Sequence, residues 1–186
     1  MQAFAGIERE MTYYALLKGI NVSGHKTIKM AELRAMFEEL GYKNVRTLIQ
    51  SGNVVFESTA AAESVRKKIE AGIKKTFGFD VNVIVRSKPE MEAIIEGYPF
   101  SKVKGHEECK ISVGYLSATP IKAQITELES ANNDKEMIVV SGNNLYHLIR
   151  GGFSDSELFK KNTVEKTLTA VCTVRNWNTT NKLLTI

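Results

Sequence analysis

The chain has 186 residues, 43% hydrophobic and 25% charged, a globular composition that excludes a disordered, collagen-like or disulfide-scaffold protein. Its net charge of +4, from 25 Lys and Arg against 21 Asp and Glu spread over both halves, is too mild for a dedicated nucleic-acid binder. No apolar run approaches the roughly 20 residues that span a bilayer, and the start lacks a basic-then-apolar export pattern, so a cytoplasmic protein without membrane contact is expected.

Residues 1–11 show no periodicity and read as a disordered leader. Residues 13–18 are a short apolar run suited to a buried strand, ending at Gly19, and a polar loop follows over 20–27. Met30, Leu33, Phe37 and Leu40 recur at helical spacing before Gly41. β-rich runs at 45–50 and 54–57 flank Ser51-Gly52-Asn53, a turn sequence that tolerates positive φ, and so predict a hairpin. Val65, Ile69, Ile73 and Phe77 mark a second amphipathic helix ending at Gly78, and residues 81–85 form a further strand. Ser87 and Glu90 form a capping box that opens a short linking helix.

From Lys110 the order starts again. It runs through a strand to Leu116, a helix through Ile121, Ile125 and Leu128, and strands at 137–140 and 145–149 around Ser141-Gly142-Asn143. A capping box at Ser154 and Glu157 predicts a helix carrying Leu158, Phe159, Val164 and Leu168, followed by a strand at 170–174 and a terminal helix. The repeated order and the repeated turn triplet predict an α+β protein of two tandem ferredoxin-like βαββαβ units with antiparallel sheets. The expected boundaries are 12–86 for the first unit, 87–108 for the linking helix and loop, and 109–186 for the second unit with its C-terminal helix.

Two segments stand out for function. The loop Gly19 to Thr27 is one residue away from the phosphate-cradling pattern GxxxxGK[ST], but the inserted His25 misaims the lysine, which disfavours a nucleotide-hydrolysing loop and leaves a looser anion-binding loop or a solvated connector. The stretch Arg175-Asn176-Trp177-Asn178-Thr179-Thr180-Asn181-Lys182 has more capping residues than one helix start needs and no acid in its first turn. Cys109 and Cys172 lie in apolar β-like runs without CxxC spacing and read as reduced core thiols. His25, His106 and His147 fall in separate contexts, so no metal site is expected, and no nucleophile-base pair is legible. Residues 54–56 lack the paired aromatics on which an RNA-binding sheet stacks bases.

The stretches Ala15-Leu16-Leu17-Lys18-Gly19-Ile20-Asn21-Val22, Lys29-Met30-Ala31-Glu32-Leu33-Arg34, Ile49-Gln50-Ser51-Gly52-Asn53-Val54 and Arg175-Asn176-Trp177-Asn178-Thr179 resemble the motifs of a bacterial family, domain of unknown function 1697. The likeness runs from about Thr12 to the C-terminus. It implies two ferredoxin-like halves and no activity, and it locates motif residues at Asn21, Gln50, Ser51, Asn53, Arg175, Asn176, Trp177, Asn178 and Lys182.

The leading expectation is a protein, catalytic or not, that holds a phosphate- or carboxylate-bearing small molecule between the first-half loop and the terminal helix. Lys26 and Arg175 would supply charge, Asn21, Gln50 and Asn178 orientation, and Trp177 a wall, with Lys18, Ser51, Asn53, Asn176, Thr179 and Lys182 completing the set. A nucleic-acid or protein interaction module is the second reading. A purely structural role for the motifs at the seam of the halves is the third. No cofactor is assigned.

Overall fold

The computed structural model describes residues 10–22 and 24–186. One order of elements occurs twice among them. The first pass is β1 (Met11–Leu17), α1 (Met30–Glu39), β2 (Lys43–Leu48), β3 (Asn53–Ser58), α2 (Ala62–Phe77), β4 (Val83–Ser87) and α3 (Lys88–Glu96). The second is β5 (Lys110–Leu116), α4 (Lys122–Glu129), β6 (Glu136–Ser141), β7 (Asn144–Ile149), α5 (Thr163–Leu168), β8 (Cys172–Asn176) and α6 (Trp177–Leu183). Each pass builds a four-stranded antiparallel sheet, ordered β2-β3-β1-β4 and β6-β7-β5-β8, so the protein is α+β. The chain divides into two compact units, the first ending at Glu90 and the second covering Met91–Thr185.

In the first unit, Tyr13, Ala15 and Leu17 alternate along β1 and join Leu33, Met36 and Phe37 of α1 and Val65, Ile69 and Ile73 of α2 in one core. α2 has Glu63 in its first turn and Lys74 and Lys75 in its last, which suits the helix dipole, and it stops where Gly78 turns left-handed at φ 83°. In the second unit, Leu116, Ile138 and Leu145 join Leu128 of α4 and Val164 and Leu168 of α5. No helix among the described residues is long and apolar enough to cross a membrane.

Strand register makes the repeat explicit. Tyr13 pairs with Phe56 on one side and Ser87 on the other, while Ser112 pairs with His147 and Asn176. Tyr13 thus corresponds to Ser112, Phe56 to His147, Arg86 to Arg175, and Ser87 to Asn176.

Several expectations need correction. Residues 1–9 of the expected leader lie outside the described residues, and β1 starts at Met11. The two turn triplets are not equivalent: the first hairpin turns over the four residues from Ile49 to Gly52, the second over Gly142 and Asn143 alone. Register aligns Asn53 with Asn144, because Leu16 pairs with Asn53 and Tyr115 with Asn144. The helix expected after Ser154 is instead two 3-10 turns, Phe153–Asp155 and Lys160–Asn162, before α5. Its proposed cap fails for a local reason: the Glu157 N–H donates to Glu136 of β6, and Asn162 takes a left-handed φ of 56° that breaks the run. β8 begins two residues later than expected, at Cys172.

Candidate functional site

The loop between β1 and α1 is organised by one side chain. Asn21, at a left-handed φ of 56°, donates through Nδ2 to the carbonyls of Ile28 (3.0 Å) and Gln50 (2.7 Å) and accepts the Ile28 N–H through Oδ1 (2.8 Å). Its amide is committed to backbone groups on both flanks. The Lys26 ammonium donates to the Asp80 carbonyl at 2.7 Å, and the Lys18 N–H donates to the Asn82 carbonyl at 3.0 Å. Buried Asn53 donates to the Leu48 carbonyl (3.1 Å) and to Ser51 Oγ (2.9 Å), closing the hairpin turn. Gln50 is exposed and contributes its carbonyl to Asn21.

The second motif segment sits at the end of β8 and the start of α6, in the other unit. Arg175 is 7% exposed, and its Nη1 donates to Thr173 Oγ1 and the Val174 carbonyl, both at 2.9 Å. Burial lowers its pKa to about 10, partly opposed by Tyr115. Its counterpart Arg86 is 5% exposed and likewise donates to the preceding carbonyl, that of Val85, at 3.1 Å. Asn176 caps α6, its side chain accepting the Thr179 N–H at 2.7 Å. Thr179 and Thr180 are buried, Thr180 accepting from the Tyr115 hydroxyl at 3.1 Å. Lys182 is exposed in the last turn.

A cavity of about 830 Å³ opens beside this segment, within the second unit. Tyr98, His106, Lys110, Ser112, Trp177 and Asn178 are among its lining residues. Tyr98 and Trp177 make an aromatic wall, with ring centres 4.8 Å apart at 39°. The Tyr98 hydroxyl lies 3.0 Å from His106 Nδ1, and His106 Nε2 lies 3.2 Å from Glu107. Alternation along β8 turns Val174 and Asn176 to the cavity and Arg175 to the opposite face of the sheet. Of the expected second-half residues, Asn176, Trp177 and Asn178 therefore line the cavity, and Arg175, Thr179 and Lys182 do not. Lys18, Asn21, Lys26, Gln50, Ser51 and Asn53 belong to the first unit.

Sequence reasoning missed Lys110, Ser112, His147 and Glu136, of which the last three form a buried polar chain across β5, β7 and β6. A signal was present: Ser112 and His147 occupy inward positions in otherwise apolar strands, reading Lys-Ile-Ser-Val-Gly-Tyr-Leu and Asn-Leu-Tyr-His-Leu-Ile.

A solved structure similar to the chain is the conserved bacterial protein SP0830 from Streptococcus pneumoniae, 23% identical, with a TM-score of 0.77 over 95% of this chain and 98% of that one. At that identity the likeness establishes the fold. No curated protein matches the chain. Residues 11–146 match the family described as Protein of unknown function (DUF1697), and the chain belongs to that family.

Proposed function

We propose that the protein binds a small molecule bearing a phosphate or carboxylate in the second-unit cavity, on a frame of two ferredoxin-like units. The βαββαβ order and the placement of the first strand between the third and fourth support the frame. The motifs alone share the ligand between the loop at 19–27 and the segment at 175–182. The cavity favours the second of these, because the Asn21 amide and the Lys26 ammonium are engaged by backbone carbonyls of their own unit. The observation that carries the reading is a concavity of ligand size with one aromatic wall and a lining whose polar side chains include Lys110, Ser112, Asn176 and Asn178. Glu107 of the same lining turns its carboxylate to His106 Nε2 at 3.2 Å.

Trp177 is the single tryptophan and forms the wall, so its fluorescence reports occupancy directly. Sugar phosphates, nucleotides and small carboxylates are titrated against it, with thermal shift in parallel. A ligand at about 100 times its dissociation constant adds roughly 2.7 kcal/mol, or about 5–10 °C at this chain length. Lys110→Met should weaken that binding at least about fivefold. If no anionic compound changes Trp177 emission or the melting temperature, the reading fails.

A further inference from the structure

The polar chain beneath the cavity has a direction. Ser112 Oγ lies 3.3 Å from His147 Nδ1, and His147 Nε2 lies 2.7 Å from Glu136 Oε1. Exposure is 3% at Ser112, 0% at His147 and 4% at Glu136, yet Ser112 lines the cavity. Glu136 also accepts from the Ser156 hydroxyl and, at 3.1 Å, from the Glu157 N–H. An acceptor facing Nε2 fixes the imidazole tautomer: the ring hydrogen sits on Nε2, and Nδ1 is presented bare to the Ser112 hydroxyl. Phe153 and Phe159 hold the imidazole edge-on, with centroids 5.5 and 5.0 Å away. Burial lowers the His147 pKa below 6.5 against an opposing pull from Glu136, so the ring is a neutral base at pH 7.

The first unit shows what this frame holds when it is only a core. At the positions of Ser112 and His147 it has Tyr13 and Phe56, whose rings lie 6.1 Å apart, and Phe56 packs against Tyr42 at 4.6 Å. Aromatic bulk fills that space. The second unit puts a small hydroxyl there, facing a cavity and backed by a base.

We propose that Ser112 is the nucleophile and His147 the general base of an acyl-transfer site, acting on an ester or thioester of a small carboxylic acid. The proposal rests on the cavity being the binding site and names its substrate class. Ser112 Oγ bonds to the acyl carbon as its proton passes to His147 Nδ1. The bond to the leaving alcohol or thiol breaks, and that proton passes to the leaving atom. Water then attacks the acyl-serine, giving a proton to Nδ1. The acid departs and Oγ recovers its proton, so ester and water become acid and alcohol. Asn176 of β8 is the register partner of Ser112 on neighbouring β5; its Oδ1 is engaged by Thr179 N–H, which makes Nδ2 the donor it offers a developing oxyanion. Lys110, two residues before Ser112 on the same strand face, is placed to hold the product carboxylate.

The test is covalent labelling of the full-length protein with an alkyl fluorophosphonate, which carries its own leaving group, read by intact mass and peptide mapping. One adduct on Ser112 is expected. It should be absent in Ser112→Ala and form about 100-fold more slowly in His147→Gln, with folding of both variants checked by circular dichroism. A p-nitrophenyl ester should release a burst of nitrophenolate stoichiometric with protein. No adduct on Ser112, or an adduct forming equally fast in His147→Gln, overturns the proposal. Labelling of Ser112 without any anion quenching Trp177 upholds the nucleophile and removes the anionic-ligand reading; quenching without labelling does the reverse.

Discussion

Asn21→Ala isolates what the motif asparagine of the first unit does. The side chain makes three hydrogen bonds at 2.7 to 3.0 Å, tying Ile28 and the Gln50 carbonyl to one point. At about 1 kcal/mol net each, their loss costs about 3 kcal/mol, less where water reaches the freed carbonyls. The residue is also left-handed at φ 56°, which asparagine tolerates and alanine resists by about 1 kcal/mol. The sum is about 2–4 kcal/mol, or roughly 4–16 °C at this length. Asn21→Gly loses the same bonds without the backbone strain and should be about 1 kcal/mol milder than alanine. Urea unfolding with an unchanged m-value and a thermal scan measure both. An alanine variant within about 0.5 kcal/mol of wild type, or a glycine variant no milder than alanine, refutes this structural role.

Gly52 and Gly142 sit in the two non-equivalent hairpin turns and differ in their surroundings. A Cβ on Gly52 would lie 2.8 Å from both Ile20 Cδ1 and Leu17 Cβ at φ 74°, whereas one on Gly142 meets nothing within 4 Å at φ 57°; Gly52→Ala should therefore cost about 2–4 kcal/mol and Gly142→Ala about 1, by chemical denaturation. Arg175→Ala should destabilise by about 3 kcal/mol or more by removing a buried, hydrogen-bonded cation, while cavity affinity followed through Trp177 stays within about twofold; a tenfold affinity loss at unchanged stability would contradict its placement on the opposite sheet face. For pH, His147 keeps a lowered pKa when folded and regains about 6.5 when unfolded, so below 6.5 the unfolded chain binds the extra proton and stability falls. Urea midpoints from pH 8 to 5 should drop below about 6.5 in wild type and less in His147→Gln; equal slopes would refute it.

Elements were legible where periodicity and punctuation agree. α2 shows both: Val65, Ile69 and Ile73 recur at four-residue steps, and Gly78 supplies the left-handed stop. Half of the capping box at Ser87 also forms, the Glu90 carboxylate accepting from the Ser87 N–H at 2.7 Å, while the Ser87 hydroxyl donates to the same carboxylate at 2.7 Å instead of accepting the Glu90 N–H. The same rule fails at Ser154 because capping is local and its competitor is not: Glu136, about 20 residues earlier, draws the Ser156 hydroxyl and the Glu157 N–H. Motif reading found Asn21 and Asn176 but could not tell an asparagine that binds backbone from one that faces a ligand. That distinction depends on strand parity, which turns Asn176 to the cavity and neighbouring Arg175 away.

Strand order explains why the proposed constellation stayed hidden. Ser112, His147 and Glu136 are scattered in sequence and share no motif; they become neighbours only once β7 lies between β5 and β6. A buried Ser-His-Glu chain costs more desolvation than the aromatic cluster that the first unit carries on the same frame. Tyr13 and Phe56 prove that the frame accepts bulk at those positions, so polarity in the second unit is not imposed by the fold. Hydrogen-bond satisfaction accounts for Glu136, which accepts from the buried Ser156 hydroxyl and the Glu157 N–H, but not for the Ser112 hydroxyl set against His147. Departure from the apolar solution occurs where the cavity opens, and it places a hydroxyl there with an oriented base behind it. Asymmetry between two copies of one frame is thus what the acyl-transfer proposal rests on, independently of any single motif.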